Sequence, residues 1–246
     1  MWNNRSSKMA IAVVLAGGSG SRMKSNIAKQ YINLCGREVL SYSLETFQKH
    51  EAVTDIIIVV RAGEEEYCRE KIVERYNIDK AKYICAGGTN RYDSVQNGLR
   101  YAVKLAKDNM NDIVMIHDGA RPFVTAEMID HSIEAAGEYG ACTVGVPAKD
   151  TIKIVDDKLF GVQTPDRKYL YQIQTPQTFR IGLLKEAYEK MRMDENPNIT
   201  DDTMLVEQYK GVPSKVVMGD YRNIKITTPE DIEIAEIFAK KIFKIF

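Results

Sequence analysis

The run Ile56-Ile57-Ile58-Val59-Val60 sets five β-branched apolar residues in a row and leaves no polar face for water. Side chains alternate sides along a strand, so this segment must be covered from above and below. Strands of that kind belong in parallel sheets, where crossover helices shield both faces. Ile11–Leu15, Lys82–Cys85 and Ile113–Ile116 read as further strands. Between them, Val39, Leu40, Leu44 and Phe47 share one helical face in 38–49, and a charged helical stretch runs from Glu64 to Tyr76. Residues 91–107 place Val95, Leu99, Ala102, Val103 and Ala106 at helical spacing. This alternation implies right-handed crossovers. The predicted fold class is α/β, a Rossmann-like mostly parallel sheet with helices on both faces.

The rhythm changes between about 147 and 175. Thr151–Val155 and Gly161–Gln163 are strand-like but too close together for a crossover helix. They read as a projecting β-hairpin arm, of the kind that pairs with a second subunit, so a homodimer through the arm is expected. Gln174-Thr175-Pro176-Gln177 reads as a turn. Helices near 180–192 and 201–210 and a strand at 215–218 follow. Thr228-Pro229-Glu230-Asp231 opens the last helix with a cap, a first-turn proline and two acids. One domain over 1–246, carrying that arm at about 147–175, accounts for the chain.

Charge excludes some partners. Lys plus Arg and Asp plus Glu both count 34, so no overall field draws in a nucleic acid. No apolar run has the length of a membrane span. The apolar run after Arg5 and Lys8 stops at Gly17-Gly18, too soon for a signal sequence and right for a strand. Cys35, Cys68, Cys85 and Cys142 are widely spaced and His50, His117 and His131 lack ligand spacing, so reduced structural thiols in a cytoplasmic protein are expected.

The chemistry concentrates in strand-to-helix turns. Ala16-Gly17-Gly18-Ser19-Gly20 lets the backbone approach a ligand and point N–H groups at phosphates, and Arg22 and Lys29 just beyond supply counter-charge. The segment is no Walker loop. The dinucleotide fingerprint also fails, because Met23 stands where its third glycine belongs and the second strand ends at Arg61 instead of an acid. Asp118, at the end of a strand in His117-Asp118-Gly119-Ala120-Arg121-Pro122, can hold Mg²⁺ against substrate phosphates. It can equally cap a helix. His117 has apolar neighbours and no visible partner, and reads as packed. Gly87-Gly88-Thr89-Asn90-Arg91 is a second glycine turn, able to read a base with help from Ser94 or simply to start a helix at a Thr89 or Asn90 cap. Thr200-Asp201-Asp202 reads as an acidic helix start, and Lys225 as one lysine in a strand.

Nine short motifs occur in one order: Gly-Gly-x-Gly-x-Arg-Met, Lys-Gln-Tyr, Gly-Gly-x-x-Arg-x-x-Ser-Val, His-Asp-x-x-Arg-Pro, Lys-Asp-Thr-Ile-Lys, Thr-Pro-x-Arg, Gln-Thr-Pro-Gln, Thr-Asp-Asp and Asn-Ile-Lys-x-Thr. In that order, over roughly 10–240, the chain resembles the 2-C-methyl-D-erythritol 4-phosphate cytidylyltransferases of non-mevalonate isoprenoid synthesis. The resemblance implies transfer of CMP from CTP to the polyol phosphate, with release of pyrophosphate. It implies catalytic roles for Arg22, Lys29 and Lys225, phosphate contacts at Ala16, Gly17, Gly18 and Gly20, and cytosine-side positions at Gly88, Arg91 and Ser94. It implies a Mg²⁺ carboxylate at Asp118, and contacts to the polyol phosphate from Asp118, Arg121, Thr151, Arg167, Thr200 and Lys225. In that family the arm bearing Thr151 and Arg167 crosses to the partner of a homodimer.

The sequence departs from the family in places. Ala28 stands where a proline usually precedes the phosphate-site lysine, which should loosen the loop without removing a chemical group. Gly119 stands where the family commonly has alanine, and Leu-Ala-Gly-Gly and Ala-Gly-Gly-Thr also resemble the sister ribitol-5-phosphate cytidylyltransferases. Tyr92-Asp93-Ser94-Val95 and Thr164-Pro165-Asp166-Arg167 look like the isoprenoid enzyme, which ranks first. A non-catalytic nucleotide-binding regulator is the alternative of another class. Joint retention of Arg22, Lys29, Asp118 and Lys225 speaks against it.

Overall fold

The computed structural model describes residues 10–18, 28–107, 109–194 and 197–244. Strand β1 (Ala10–Ala16) is followed by a small hairpin, β2 (Asn33–Leu34) and β3 (Arg37–Glu38), then α1 (Val39–Lys49) and β4 (Val53–Val60). Next come α2 (Glu65–Cys68), β5 (Ala81–Ala86), α3 (Arg91–Leu105) and β6 (Ile113–Asp118). The charged stretch expected as one helix is α2 continued by a π-helical segment, Arg69–Glu74. The second half holds α4 (Ala126–Tyr139), β7 (Ala141–Pro147), a ribbon of β8 (Ile154–Val155) and β9 (Gly161–Gln163), and β10 (Tyr171–Arg180). It closes with α5 (Ile181–Met191), α6 (Asp202–Lys210), β11 (Lys215–Met218) and α7 (Pro229–Phe243).

Seven strands form one sheet in the order β11-β7-β10-β6-β1-β4-β5. β1 runs parallel to both β4 and β6, β4 to β5, and β7 to β11, so the sheet is mostly parallel. Alternation along β1 and β4 builds two cores. Ala12, Val14, Ile56 and Ile58 face Leu40, Leu44 and Phe47 of α1, while Val13, Ile57 and Val59 face Val95, Leu99 and Ala102 of α3. The five-residue apolar run is thus covered on both sides. Asn90 caps α3 in a reciprocal box with Asp93, and Thr228 does the same for α7 with Asp231.

β10 corrects the sequence reading. Gln174–Gln177 is no turn but the middle of this strand, which lies antiparallel between β6 and β7. Two buried glutamines of the stretch find partners: Gln174 Nε2 donates to the Asp220 carbonyl (2.9 Å) and Gln177 Nε2 to Asp201 Oδ2 (2.9 Å). Pro176, with no N–H to give the ladder, falls where the pairing with β7 shifts register between Ile173 and Gln177. The Thr175–Pro176 peptide is cis.

Between β7 and β10 the β8–β9 ribbon stands off the sheet as its own antiparallel pair. Strand pairing there begins at Ile154, and the expected stretch from Thr151 is extended only at its end. Leu159, Phe160 and Val162 on the ribbon are 80%, 69% and 68% exposed, which gives a solvent-facing apolar surface. No helix among the described residues is long and apolar enough to cross a membrane.

Candidate active site

A cleft of about 700 Å³ opens at the carboxyl ends of β1, β4, β5 and β6, where parallel sheets bind ligands. One wall is Gly17-Gly18, with Lys29 passing directly above. A Cβ on Gly18 would stand 3.3 Å from Cε of Lys29, which shows how closely that side chain lies over the bare backbone of the turn. The opposite wall is Gly87-Gly88. Here a Cβ on Gly88 would lie 2.2 Å from Cβ of Asp93, and only glycine fits. The Gly88 N–H donates to Ser94 Oγ (3.1 Å), whose own proton goes to the Asn90 carbonyl (3.2 Å).

The floor is a charged cluster around Asp118. Lys225 Nζ lies 2.7 Å from Asp118 Oδ2, and Arg91 Nε lies 3.7 Å from Oδ1. Burial alone would push the Asp118 carboxyl up, but Arg91 and Lys225 outweigh it and hold the group well below the usual carboxylate range. Arg91 has a second carboxylate partner. Its Nη1 donates to Oδ2 of buried Asp202 at 2.7 Å, and the Tyr188 hydroxyl donates to Oδ1 of the same residue at 2.5 Å. Burial lowers the Arg91 pKa, yet Asp202 and Asp118 more than reverse that and fix it as a cation. Burial and then Asp202 push the Tyr188 hydroxyl far up, which keeps it a donor.

A hydrogen-bonded chain beneath the cleft orients these groups. The Asp118 N–H donates to Thr175 Oγ1 (3.1 Å), which pairs with His117 Nδ1 (3.0 Å), and His117 Nε2 pairs with the Arg121 carbonyl (3.0 Å). The Arg121 carbonyl can only accept, so Nε2 carries a proton, and in the neutral imidazole Nδ1 accepts from the Thr175 hydroxyl. Burial depresses the His117 pKa to about 4, in keeping with that state. The histidine read as packed without a partner therefore has two. Lys225 reaches the floor because the Ile226 N–H bonds the Ala120 carbonyl (2.9 Å) and Arg121 Nη1 bonds the Asn223 carbonyl (2.7 Å). Burial, reinforced by Arg91, lowers the Arg121 pKa.

The cleft thus gathers Gly17, Gly18, Lys29, Gly88, Arg91, Ser94, Asp118 and Lys225. Ala16 is buried at the end of β1, and Arg121 sits beneath the floor. Thr151 and Arg167 stand exposed on the arm side, where Arg167 Nη1 donates to the Lys149 carbonyl (2.9 Å). Thr200 is exposed ahead of α6. None of these three lines the cleft of this chain. Gly20 and Arg22 lie outside the described residues. Sequence reasoning missed the roles of Asp202, Tyr188, Thr175 and Asn223 in holding the cluster. Three of these lie within motifs it singled out, while Tyr188 carries no local signal at all.

Among the described residues no three His, Cys, Asp or Glu side chains gather into a metal cage. Among the described residues that line the cleft, Asp118 alone brings a carboxylate. That donor set fits Mg²⁺, which takes one or two carboxylates and otherwise keeps water and substrate phosphates.

Known proteins share this arrangement's sequence and frame. The family model for 2-C-methyl-D-erythritol 4-phosphate cytidylyltransferase matches residues 10–241. The cytidylyltransferase of that name from Alkaliphilus metalliredigens is 46% identical over 224 residues, covering 91% of this chain and 90% of the relative. One from Clostridium botulinum (strain Eklund 17B / Type B) is also 46% identical, over 95% of this chain and all of the relative (100%). The crystal structure of 4-diphosphocytidyl-2C-methyl-D-erythritol synthase from Anaerococcus prevotii matches with a TM-score of 0.81 at 36% identity, covering 95% of this chain and 97% of that one. Likeness of this extent takes in both glycine walls, the charged floor and the strands that carry them, and the chain belongs to the 2-C-methyl-D-erythritol 4-phosphate cytidylyltransferase family.

Proposed function

We propose that the chain transfers CMP from CTP to 2-C-methyl-D-erythritol 4-phosphate, as its relatives are named for doing, in the synthesis of isoprenoid precursors. The carrying observation is a cleft with glycine walls on two sides, Lys29 over one of them, and Asp118 paired with Lys225 on the floor. A phosphate oxygen of the polyol attacks the α-phosphorus of CTP, and the bond to the β-phosphate oxygen breaks in line, with pyrophosphate taking the electron pair. Both reactants are anions, so repulsion dominates the barrier, and positioning with fixed positive charge lowers it. An ionised phosphate needs no general base.

Lys29 and, in this reading, Arg22 neutralise charge at the triphosphate, while the Gly17-Gly18 amides face it. Lys225 leaves its ion pair with Asp118 to meet the incoming phosphate. Mg²⁺, held by Asp118 and the CTP phosphates, would withdraw charge from the α-phosphorus and the leaving group. Gly88 and Ser94 take the base. Thr151 and Arg167 serve the site of a partner chain: the ribbon's exposed Leu159, Phe160 and Val162 support a homodimer built through the arm. Four free thiols suit the reducing cytoplasm, where we place the enzyme.

Pyrophosphate release with CTP and Mg²⁺ tests the reading. Methylerythritol phosphate should turn over, and ribitol phosphate, UTP, GTP and ATP should be poor replacements. Chelator should stop the reaction and added Mg²⁺ restore it. Equal rates with ribitol phosphate would overturn the substrate, and full activity in EDTA would overturn the metal.

A further inference from the structure

Arg91 stands between two carboxylates and is bound unequally to them. Its Nη1 is 2.7 Å from Asp202, within hydrogen-bond distance, while its Nε is 3.7 Å from Asp118, outside it. Asp202 is 1% exposed and immobilised from three directions. Tyr188 holds one oxygen, Arg91 the other, and the Asp202 N–H donates to Gln177 Oε1 at 3.0 Å. Gln177 lies on β10, whose Thr175 also fixes the Asp118 backbone. The anchor and the carboxylate it faces across Arg91 are thus referenced to the same strand.

An arginine facing a lone carboxylate closes on it, usually through two parallel hydrogen bonds. That closure would cover both Asp118 oxygens with nitrogen donors. In this chain it does not happen: Lys225 takes Oδ2, and Oδ1 accepts no hydrogen bond among the described residues. We propose that Asp202 is a positioning residue that draws Arg91 away from Asp118 and so keeps Oδ1 open to a divalent cation. Arg91 still lends its charge at a distance, but it does not occupy the ligand position. Tyr188 sharpens the effect by fixing the Asp202 carboxylate so that Oδ2 points at Arg91. This rests on the reading that Asp118 holds the metal, and deepens it.

The test uses Mn²⁺ titrated into the full chain with CTP, in the absence of polyol phosphate, with free Mn²⁺ counted by electron paramagnetic resonance. No turnover enters the readout. Asp202→Asn should weaken Mn²⁺ binding about tenfold or more, the usual cost of losing a residue that orients a metal ligand. CTP is kept saturating for each protein, because Arg91 is also a cytosine-side position. The Arg91→Gln/Asp202→Asn double variant should then recover to within roughly twofold of wild type, since the cation released by the first change is gone. That recovery separates positioning from a structural role, which would leave the double variant as weak as the single one. Unchanged affinity in Asp202→Asn, or no recovery in the double variant, overturns the proposal. Should Asp202→Asn fail to fold, Tyr188→Phe takes its place, with an expected loss of roughly threefold, the low end of what one net hydrogen bond supplies, since Arg91 still holds the other oxygen. Unchanged affinity there overturns it as well. Asp118→Asn is the control: if Mn²⁺ binds it as tightly as wild type, the metal assignment itself falls. Loss in Asp118→Asn with none in Asp202→Asn rejects only the positioning role.

Discussion

Lys225 and Asp118 meet at 2.7 Å in the floor of the cleft, each delivered by a different part of the chain. Asp118 ends β6, whereas Lys225 lies in the irregular segment tied down by the Ile226–Ala120 hydrogen bond. The ammonium is half-buried on the cleft floor, and Lys29 lies over the Gly17-Gly18 wall. Lys225→Gln and Lys29→Ala should each lower kcat/KM by about 10²–10³, the usual effect of removing one well-aimed charge donor. Steady-state pyrophosphate release checks both. A loss within a few-fold for either residue would remove it from the mechanism.

His117 sets a pH dependence of stability. Its folded pKa, about 4, lies below the ordinary value of 6.5 because burial disfavours the charged imidazole. Between those values the unfolded chain binds a proton that the folded one refuses. Stability is therefore complete above pH 6.5 and falls as the pH drops toward 4, by about 1.4 kcal/mol per unit and about 3 kcal/mol in all. Urea unfolding at pH 7 and pH 4.5 should show this slope in the native chain, and His117→Gln should flatten it. Parallel pH curves for the two proteins would exclude His117 as the source.

Ala28 has φ −61° and ψ 135°, the backbone that a proline imposes. The loop's departure from the family is therefore one of unfolded-state freedom and not of folded geometry. Ala28→Pro should raise stability by about 0.4–1 kcal/mol by restricting the unfolded chain. A thermal melt reads this directly, and a lower midpoint would show that position 28 needs a freedom the folded backbone does not display.

The ribbon offers the remaining prediction. Phe160 is 69% exposed with Leu159 and Val162 beside it, an apolar surface that water disfavours. Phe160→Ser together with Leu159→Ser should shift a dimer toward monomer in light scattering, and lower activity with it, since Thr151 and Arg167 would lose the cleft they serve. Unchanged mass and rate would leave the arm without that role.

Much of this was legible in the residues. The all-apolar run at 56–60 demanded a sheet covered on both faces, and glycines at 17–18 and 87–88 marked the two walls. Asp118 stood out because it ends a strand, at the edge where open α/β sheets bind ligands. β10 did not, because Gln174, Thr175 and Gln177 look like turn residues until their partners on other segments are known. Asp202 looked like an ordinary helix start for the same reason: its partner Arg91 lies 111 residues away, and pattern reading sees only neighbours. Polar residues that are buried by pairing leave no periodic trace.

β10 carries a last implication. Its first residues extend from the ribbon alongside β7, its middle holds Thr175 under Asp118, and its end runs beside β6. One strand, its pairing with β7 interrupted at Pro176, therefore runs from the arm to the residue that holds the Asp118 backbone. In the proposed dimer the arm and the cleft are joined through this strand: loosening the grip outside should register as misalignment inside, with no side chain of the cleft altered.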